Sequence, residues 1–365
     1  MTTGAARGTC IHLLALDLGF QIDLAAAQQR LADSDRLRIV RVRRPSPAWF
    51  EYEPAPLTIS IAADPIEVDG WRSEPAVSCV IHEFGAISLA YSFAIDAAVE
   101  ELPRLTAGLY AHEAIQADAR MRAQRLLEAM APAIARPALS ELIEDYTVLA
   151  VRDWGGGDPA AFVEAHGAVI ARALQAEAGE LAPSGVRRCL ESRISYAPGD
   201  VAVIDWNGAL LLDAQPDDIV ALLAHANVEL LEMRILDGLL DTLLERAHML
   251  LGRLGRRRVW AAAQDVRDLR AFAEIQTDSA LLFEGVNNAI KLVGDQYLAR
   301  VYQLTSERLH LPRWDASVER KLATAESVYQ KMSDAAGTRR MEALEWIIII
   351  LILISIIIAF VPGGH

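Results

Sequence analysis

The chain has 365 residues, is 53% hydrophobic and carries a formal net charge of -14 at pH 7. That hydrophobic content supports a real core, which excludes a disordered polymer, and the length allows one large or two ordinary domains. The acidic balance argues against wholesale nucleic-acid binding, although a local basic patch remains compatible with it.

In chain order, the opening MTTGAARGTCIHLLALDLGF has apolar character, but His12 and Asp17 interrupt it and no cleavage site follows, so no signal peptide is expected. CIHLLAL reads as a strand. Asp23 is placed to cap a helix over LAAAQQRLA, and the charged, Pro-rich RRPSPAWFEYEPAP reads as a loop. Residues 77–93 predict two strands turning between Glu83 and Ala86. A helix is expected from His112 to Met130, ended by Pro132 and Pro137, with strand returning in EDYTVLAVRDW. GGGDP breaks the chain before a helix capped by Asp158. DVAVIDWNGALLLDA then puts Asn207-Gly208 between two apolar runs, a hairpin signal because both residue types tolerate positive φ.

After residue 213 the pattern changes to helical. From Pro216 to Leu251 apolar residues recur at three and four, including Ile219, Leu222, Leu223, Ala226, Met233, Leu236 and Leu240, which predicts one long amphipathic helix. A second is expected from Trp260 to about His310, and Pro312 then interrupts before a third helix capped by Asp315 or Ser317. In the third, Val318, Leu322, Ala325, Tyr329 and Met332 form a heptad seam, expected either to join copies of the chain or to pack on the other two helices.

The seam leads into Trp346–Val361, uncharged and dominated by Ile. A transmembrane helix uses about 20 apolar residues, and this run of roughly 24 Å is short but read as a span, with Trp346 at the membrane interface. Lys331, Arg339 and Arg340 precede it, so the positive-inside rule keeps the bulk of the chain cytoplasmic. The expected fold class is therefore α+β, with a mixed α/β domain over residues 1–213, a long antiparallel helical region over 214–345, a single transmembrane helix over 346–361 and a short tail. The expected location is the bacterial inner membrane.

Residues that could carry chemistry are sparse. His82-Glu83 and His112-Glu113 begin like a zinc helix, but no second His follows at i+4. Gly155-Gly156-Gly157 lacks the Gly-Lys-Ser/Thr of a phosphate loop, and no GxSxG elbow occurs. Cys10, Cys79 and Cys189 have no metal-ligand spacing, cannot all pair and suit a reducing compartment. The chain is accordingly expected to be no enzyme and to use no cofactor. Two surfaces are candidates for contact. Arg253, Arg256, Arg257 and Arg258 cluster at the turn after the first long helix, where they could face lipid headgroups, a partner or, least expected, nucleic acid. Glu284, Asn288, Lys291 and Asp295 form a polar helix face opposite an apolar one, expected first as a solvated face with a Lys291–Asp295 pair and otherwise as a contact surface for a neighbouring subunit or partner.

The stretch EGVNNAIKLVGDQYLARVYQLTSERLHLPRWDASVERKLATAESVYQKM followed by LEWIIIILILI, with EDYTVLAV and AHANVELLEMRILDGLLDTLLE upstream, resembles the YagE / "required for meiotic nuclear division" family. The resemblance implies a membrane-anchored protein of undefined biochemistry and supplies no catalytic residue. Together these readings give a tail-anchored scaffold that self-associates through its long helices and presents the N-terminal domain to an unidentified protein partner. The alternative is an oligomeric ion channel or ion-responsive membrane protein with the plan of the CorA family, although the second span and Gly-Met-Asn motif of that family are missing.

Overall fold

The computed structural model describes the whole chain except residues 1–3, 33–38, 41–50, 53, 255–261, 289, 292–295 and 361–365; at some positions inside elements only the backbone is described. The elements in order are β1 (Ala5–Asp17), β2 (Gln21–Ile22), α1 (Leu24–Ala32), β3 (Ile39–Val40), β4 (Glu51–Tyr52), β5 (Leu57–Ala62), β6 (Glu67–Val68), β7 (Trp71–Arg72), β8 (Ala76–Ile81) and β9 (Ala86–Ala98). There follow α2 (Leu102–Leu109), α3 (Glu113–Met130), β10 (Ile134–Ala135), β11 (Glu144–Asp153), α4 (Pro159–Ala165), α5 (Gly167–Leu174), α6 (Pro183–Glu191), β12 (Arg193–Ile194), β13 (Val201–Ile204) and β14 (Gly208–Leu212). The last are α7 (Asp217–Leu254), α8 (Ala262–Asn288), β15 (Ile290–Lys291), α9 (Gln296–Arg308) and α10 (Leu311–Phe360).

Two compact units divide the chain. The first takes residues 1–234 and 285–313, the second 235–284 and 314–365. At the centre of the first is a nine-stranded mixed sheet of order β12-β13-β14-β11-β1-β9-β8-β5-β3. Its pairs are antiparallel except β11 with β14. Helices cover both faces. Cys10, Leu14 and Leu16 of β1 meet Leu105 of α2, Leu126 of α3 and Ile170 of α5 on one side. Leu13, Tyr146 and Leu211 meet Leu222 and Leu223 of α7 and Val301 of α9 on the other. Double coverage explains why VAVI and GALLL are apolar at every position instead of alternating.

Local chemistry sets many boundaries as expected. The Asp23 carboxylate accepts the N–H groups of Ala25 and Ala26, both at 3.0 Å, at the start of α1. Asp158 does the same for Ala160 at 3.1 Å before α4. The hairpin forms, but its turn runs from Asp205 to Gly208, where Asp205 N donates to Gly208 O at 2.9 Å. Neither Asn207 nor Gly208 has positive φ. Gly208 is needed for another reason, since a Cβ there would lie 2.6 Å from the Thr147 carbonyl of the neighbouring strand.

The second long helix is interrupted. α8 ends at Asn288, and Ile290 and Lys291 pair antiparallel with Tyr52 and Glu51 of β4 before α9 begins. Pairing with a strand more than two hundred residues away is something that periodicity could not foretell. α9 ends where His310 takes a φ of +58°, and α10 starts directly at Leu311, so Pro312 occupies its first turn, where the missing N–H has no intrahelical use.

In the second unit, Val318, Ala325 and Met332 of α10 are buried within the chain's own helices. Tyr329 stacks on Phe272 of α8 with ring centroids 6.3 Å apart, and Lys321 Nζ sits between Asp237 and Asp241 of α7 at 2.7 and 2.6 Å.

The membrane expectation is corrected here. Among the described residues no helix is long and apolar enough to cross a membrane. From Trp346, just past Glu345, to the end of α10 at Phe360 the helix extends about 22 Å, against a hydrocarbon core of about 30 Å. The single transmembrane helix, the tail-anchored scaffold, the inner-membrane location and the CorA-like channel all depended on that span and fall with it. The α+β class is replaced by a mixed α/β protein built on a large mixed sheet.

Candidate functional site

A group of titratable side chains lies in the first unit, where residues of α7 meet the ends of strands. Asp17 ends β1, Glu144 begins β11 and His82 follows β8; from α7 come His225, Asn227, Glu229, Glu232 and Arg234. The strand ends are drawn together by a tight turn. Leu18 N donates to Gly85 O at 3.1 Å and Ile22 N to Glu83 O at 2.6 Å. Gly85 has a φ of +107°, and a Cβ there would fall 1.8 Å from the Gly19 carbonyl and 3.1 Å from Asp17 Oδ1, so only glycine permits this approach.

Most of the group is paired. Arg234 forms an ion pair with the Glu144 carboxylate. Asn227 Nδ2 donates to the Glu144 carbonyl at 3.1 Å, and the Tyr302 hydroxyl of α9 donates to Glu229 Oε2 at 2.6 Å. His82 and His225 lie with ring centroids 5.9 Å apart. Burial lowers both imidazoles, His82 to about 3 with His225 adding to the effect, and His225 to about 4, so both are neutral at pH 7.

Glu232 differs. It is 0% exposed, and neither carboxyl oxygen has a hydrogen-bond partner among the described residues. Burial and the neighbouring Asp17 push it well above the usual carboxylate range. Burial also raises Asp17 to about 7, against the opposing backbone N–H groups of Gly19 and Leu18. The arrangement can hold a proton. Glu232 itself is buried beneath α7, while Arg234 at the edge of the group keeps 40% side-chain exposure.

A second buried polar group ties the hairpin to its surroundings. Asp205 accepts from Arg308 Nη2 at 2.9 Å, Gln175 Nε2 at 3.0 Å and Trp206 N at 2.9 Å, while the Tyr146 hydroxyl donates to the Asp205 carbonyl at 2.9 Å. It is a brace between α9 and the sheet.

A third feature is an apolar surface in the second unit. From Trp346 to Ile356 of α10 every apolar side chain is between 42% and 58% exposed.

The sequence-predicted positions fare unevenly. Arg256, Arg257, Arg258 and Asp295 lie outside the described residues, as do the side chains of Arg253, Asn288 and Lys291. Arg253 lies at the end of α7. Glu284 is exposed on α8 and Asn288 closes that helix, but Lys291 belongs to β15, so these residues do not share one continuous helix. Leu322 is half-buried and Trp346 is 58% exposed. The acid group over the sheet was missed. Its signal was present, since His225, Glu229 and Glu232 fall at steps of four and three alongside the apolar stripe of α7. His112, the other zinc-like start, instead caps α3 by accepting from Ile115 N at 3.4 Å. Among the described residues no group of three or more His, Cys, Asp or Glu is arranged to hold a metal.

A broad mixed sheet covered on both faces, joined in sequence to a helical unit and holding a buried acid–histidine group, defines a mixed α/β protein. The family described as "Uncharacterized protein MJ0711, N-terminal domain" matches residues 7–218, more than half of the chain, and the chain belongs to that family. The relative named "Uncharacterized protein MJ0711", from Methanocaldococcus jannaschii, is 24% identical over 226 residues, covering 60% of this chain and 66% of the relative. No solved structure matches. The resemblance to the YagE / meiotic nuclear division family is thereby corrected, because neither comparison supports it. It leaned on the C-terminal helices and apolar run, patterns that unrelated helical proteins share, whereas the family match lies in the sheet.

Proposed function

We propose that this protein is a non-catalytic, self-associating assembly protein whose copies meet along the apolar surface of α10. The observation that carries this reading is the exposure of every apolar side chain from Trp346 to Ile356. Successive helical residues point about 100° apart, so an unbroken run is apolar on all sides. Such a helix needs neighbours on more than one side, because monomeric proteins rarely leave large contiguous apolar surfaces uncovered. Identical copies suit it. They bring equal, uncharged surfaces without mismatched charge, and burial contributes about 25 cal/mol per Å². The non-catalytic part rests on the burial of Glu232 beneath α7.

Light scattering of the full chain tests this reading. The wild type is expected to exceed the 39.9 kDa of one copy severalfold at micromolar concentration, and Ile348→Lys combined with Ile352→Lys to shift the mass toward that of one copy. A monomeric wild type would refute self-association, as would a double variant with unchanged mass.

A further inference from the structure

We propose that Asp17 and Glu232 hold one proton between them at neutral pH, and that its release loosens α7 from the sheet. The argument begins with what can neutralise Glu232. Among the described residues the charged and titratable groups of this region are Asp17 from β1, His82 and Glu83 from the β8–β9 turn, Glu144 from β11, His225, Glu229 and Arg234 from α7 itself, Tyr302 from α9, and Arg136, which lies over the Phe20 ring. Arg234 is engaged by Glu144, and the Tyr302 hydroxyl by Glu229. The two histidines are neutral through burial. Glu83 is turned to Gln21, whose Nε2 donates to its carboxylate at 3.2 Å. Among the described residues no cation of the group is left for Glu232, whose carboxylate is 0% exposed and whose two oxygens lack a hydrogen-bond partner there.

A proton resolves both difficulties, because a neutral carboxyl avoids burying a charge and gains an O–H to donate. Two acids that raise one another and share one proton titrate as a pair. The raised positions of both carboxyls agree in direction with the geometry.

The sign follows from linkage. When folding raises a carboxyl's pKa, the folded state binds more protons than the unfolded chain once pH passes the unfolded value near 4, so stability falls as pH rises through the folded value. The buried histidines act oppositely, and only below about pH 6.5. The pair is therefore read between about pH 6.5 and 8.

Urea unfolding of the full chain across that window, for the wild type and Glu232→Gln, is the experiment. The wild-type unfolding constant should rise with pH by up to about tenfold per unit, the limit for one proton, and the variant should lose most of that slope. Groups common to both proteins cancel in the comparison. Native-state hydrogen exchange supplies a second reading. Amides of α7 near residues 225–236 should exchange faster at pH 8 than their intrinsic rates explain in the wild type, and not in Glu232→Gln. If Glu232→Gln does not fold, Asp17→Asn replaces it, and infrared spectra of the wild type at pH 7 should contain a protonated-carboxyl band that shrinks by pH 9. Equal slopes in wild type and variant, or no such band where the variants fail to fold, would overturn the proposal. Self-association through α10 stands or falls separately.

Discussion

Replacing Arg308 with Met should destabilise the first unit by about 3 kcal/mol. The Arg308 guanidinium lies 2.9 Å from Asp205 Oδ1, with side-chain exposures of 21% and 3%. Removing one partner of a buried ion pair costs about 3–5 kcal/mol, because the remaining charge loses its compensation. The lower end applies because Arg308 retains some contact with water. Methionine preserves much of the apolar stem, so the loss reports on the head group, including its bonds to the carbonyls of Ile204 at 3.4 Å and Arg188 at 3.1 Å. Urea unfolding at pH 7 followed by far-ultraviolet circular dichroism gives the free energy. The double variant Arg308→Met with Asp205→Asn removes the stranded charge, so it should be more stable than Arg308→Met alone. A cost below about 1 kcal/mol, or a double variant no more stable than the single, would show that the brace between α9 and the hairpin turn is not electrostatic.

Two further predictions concern the turn and the thiols. Gly85→Ala combines a φ of +107° with a Cβ 1.8 Å from the Gly19 carbonyl, so it should cost at least about 2 kcal/mol in thermal or urea unfolding; a variant as stable as the wild type would mean that the turn can open without loss. Cys10, Cys79 and Cys189 are all buried, with burial raising each thiol and Cys79 to about 12, so none should react with a thiol reagent at pH 8 until the protein is denatured, when all three should; labelling of the native protein within minutes would contradict their placement.

What the sequence determined by itself was local. Asp23 and Asp158 announced helix starts because a carboxylate two or three residues from a free N–H needs nothing distant. The strands from Ala76 to Ala98 and from Glu144 to Asp153, and the length of α7, followed from apolar periods recorded residue by residue. The apolar run after Glu345 was equally plain, but the helix closes at Phe360, too short to cross a membrane. Tertiary structure decided the rest, because it depends on residues far apart in sequence. β15 leaves a helical pattern to pair with β4, more than two hundred residues earlier. Gly208 is required by the approach of the Thr147 carbonyl rather than by its own turn. The spacing of His225, Glu229 and Glu232 was on the page, but what they would meet was not, for the same reason. Glu232 looks like an ordinary helix residue until packing seals it beside Asp17, and burial without a counter-charge is what changes its chemistry.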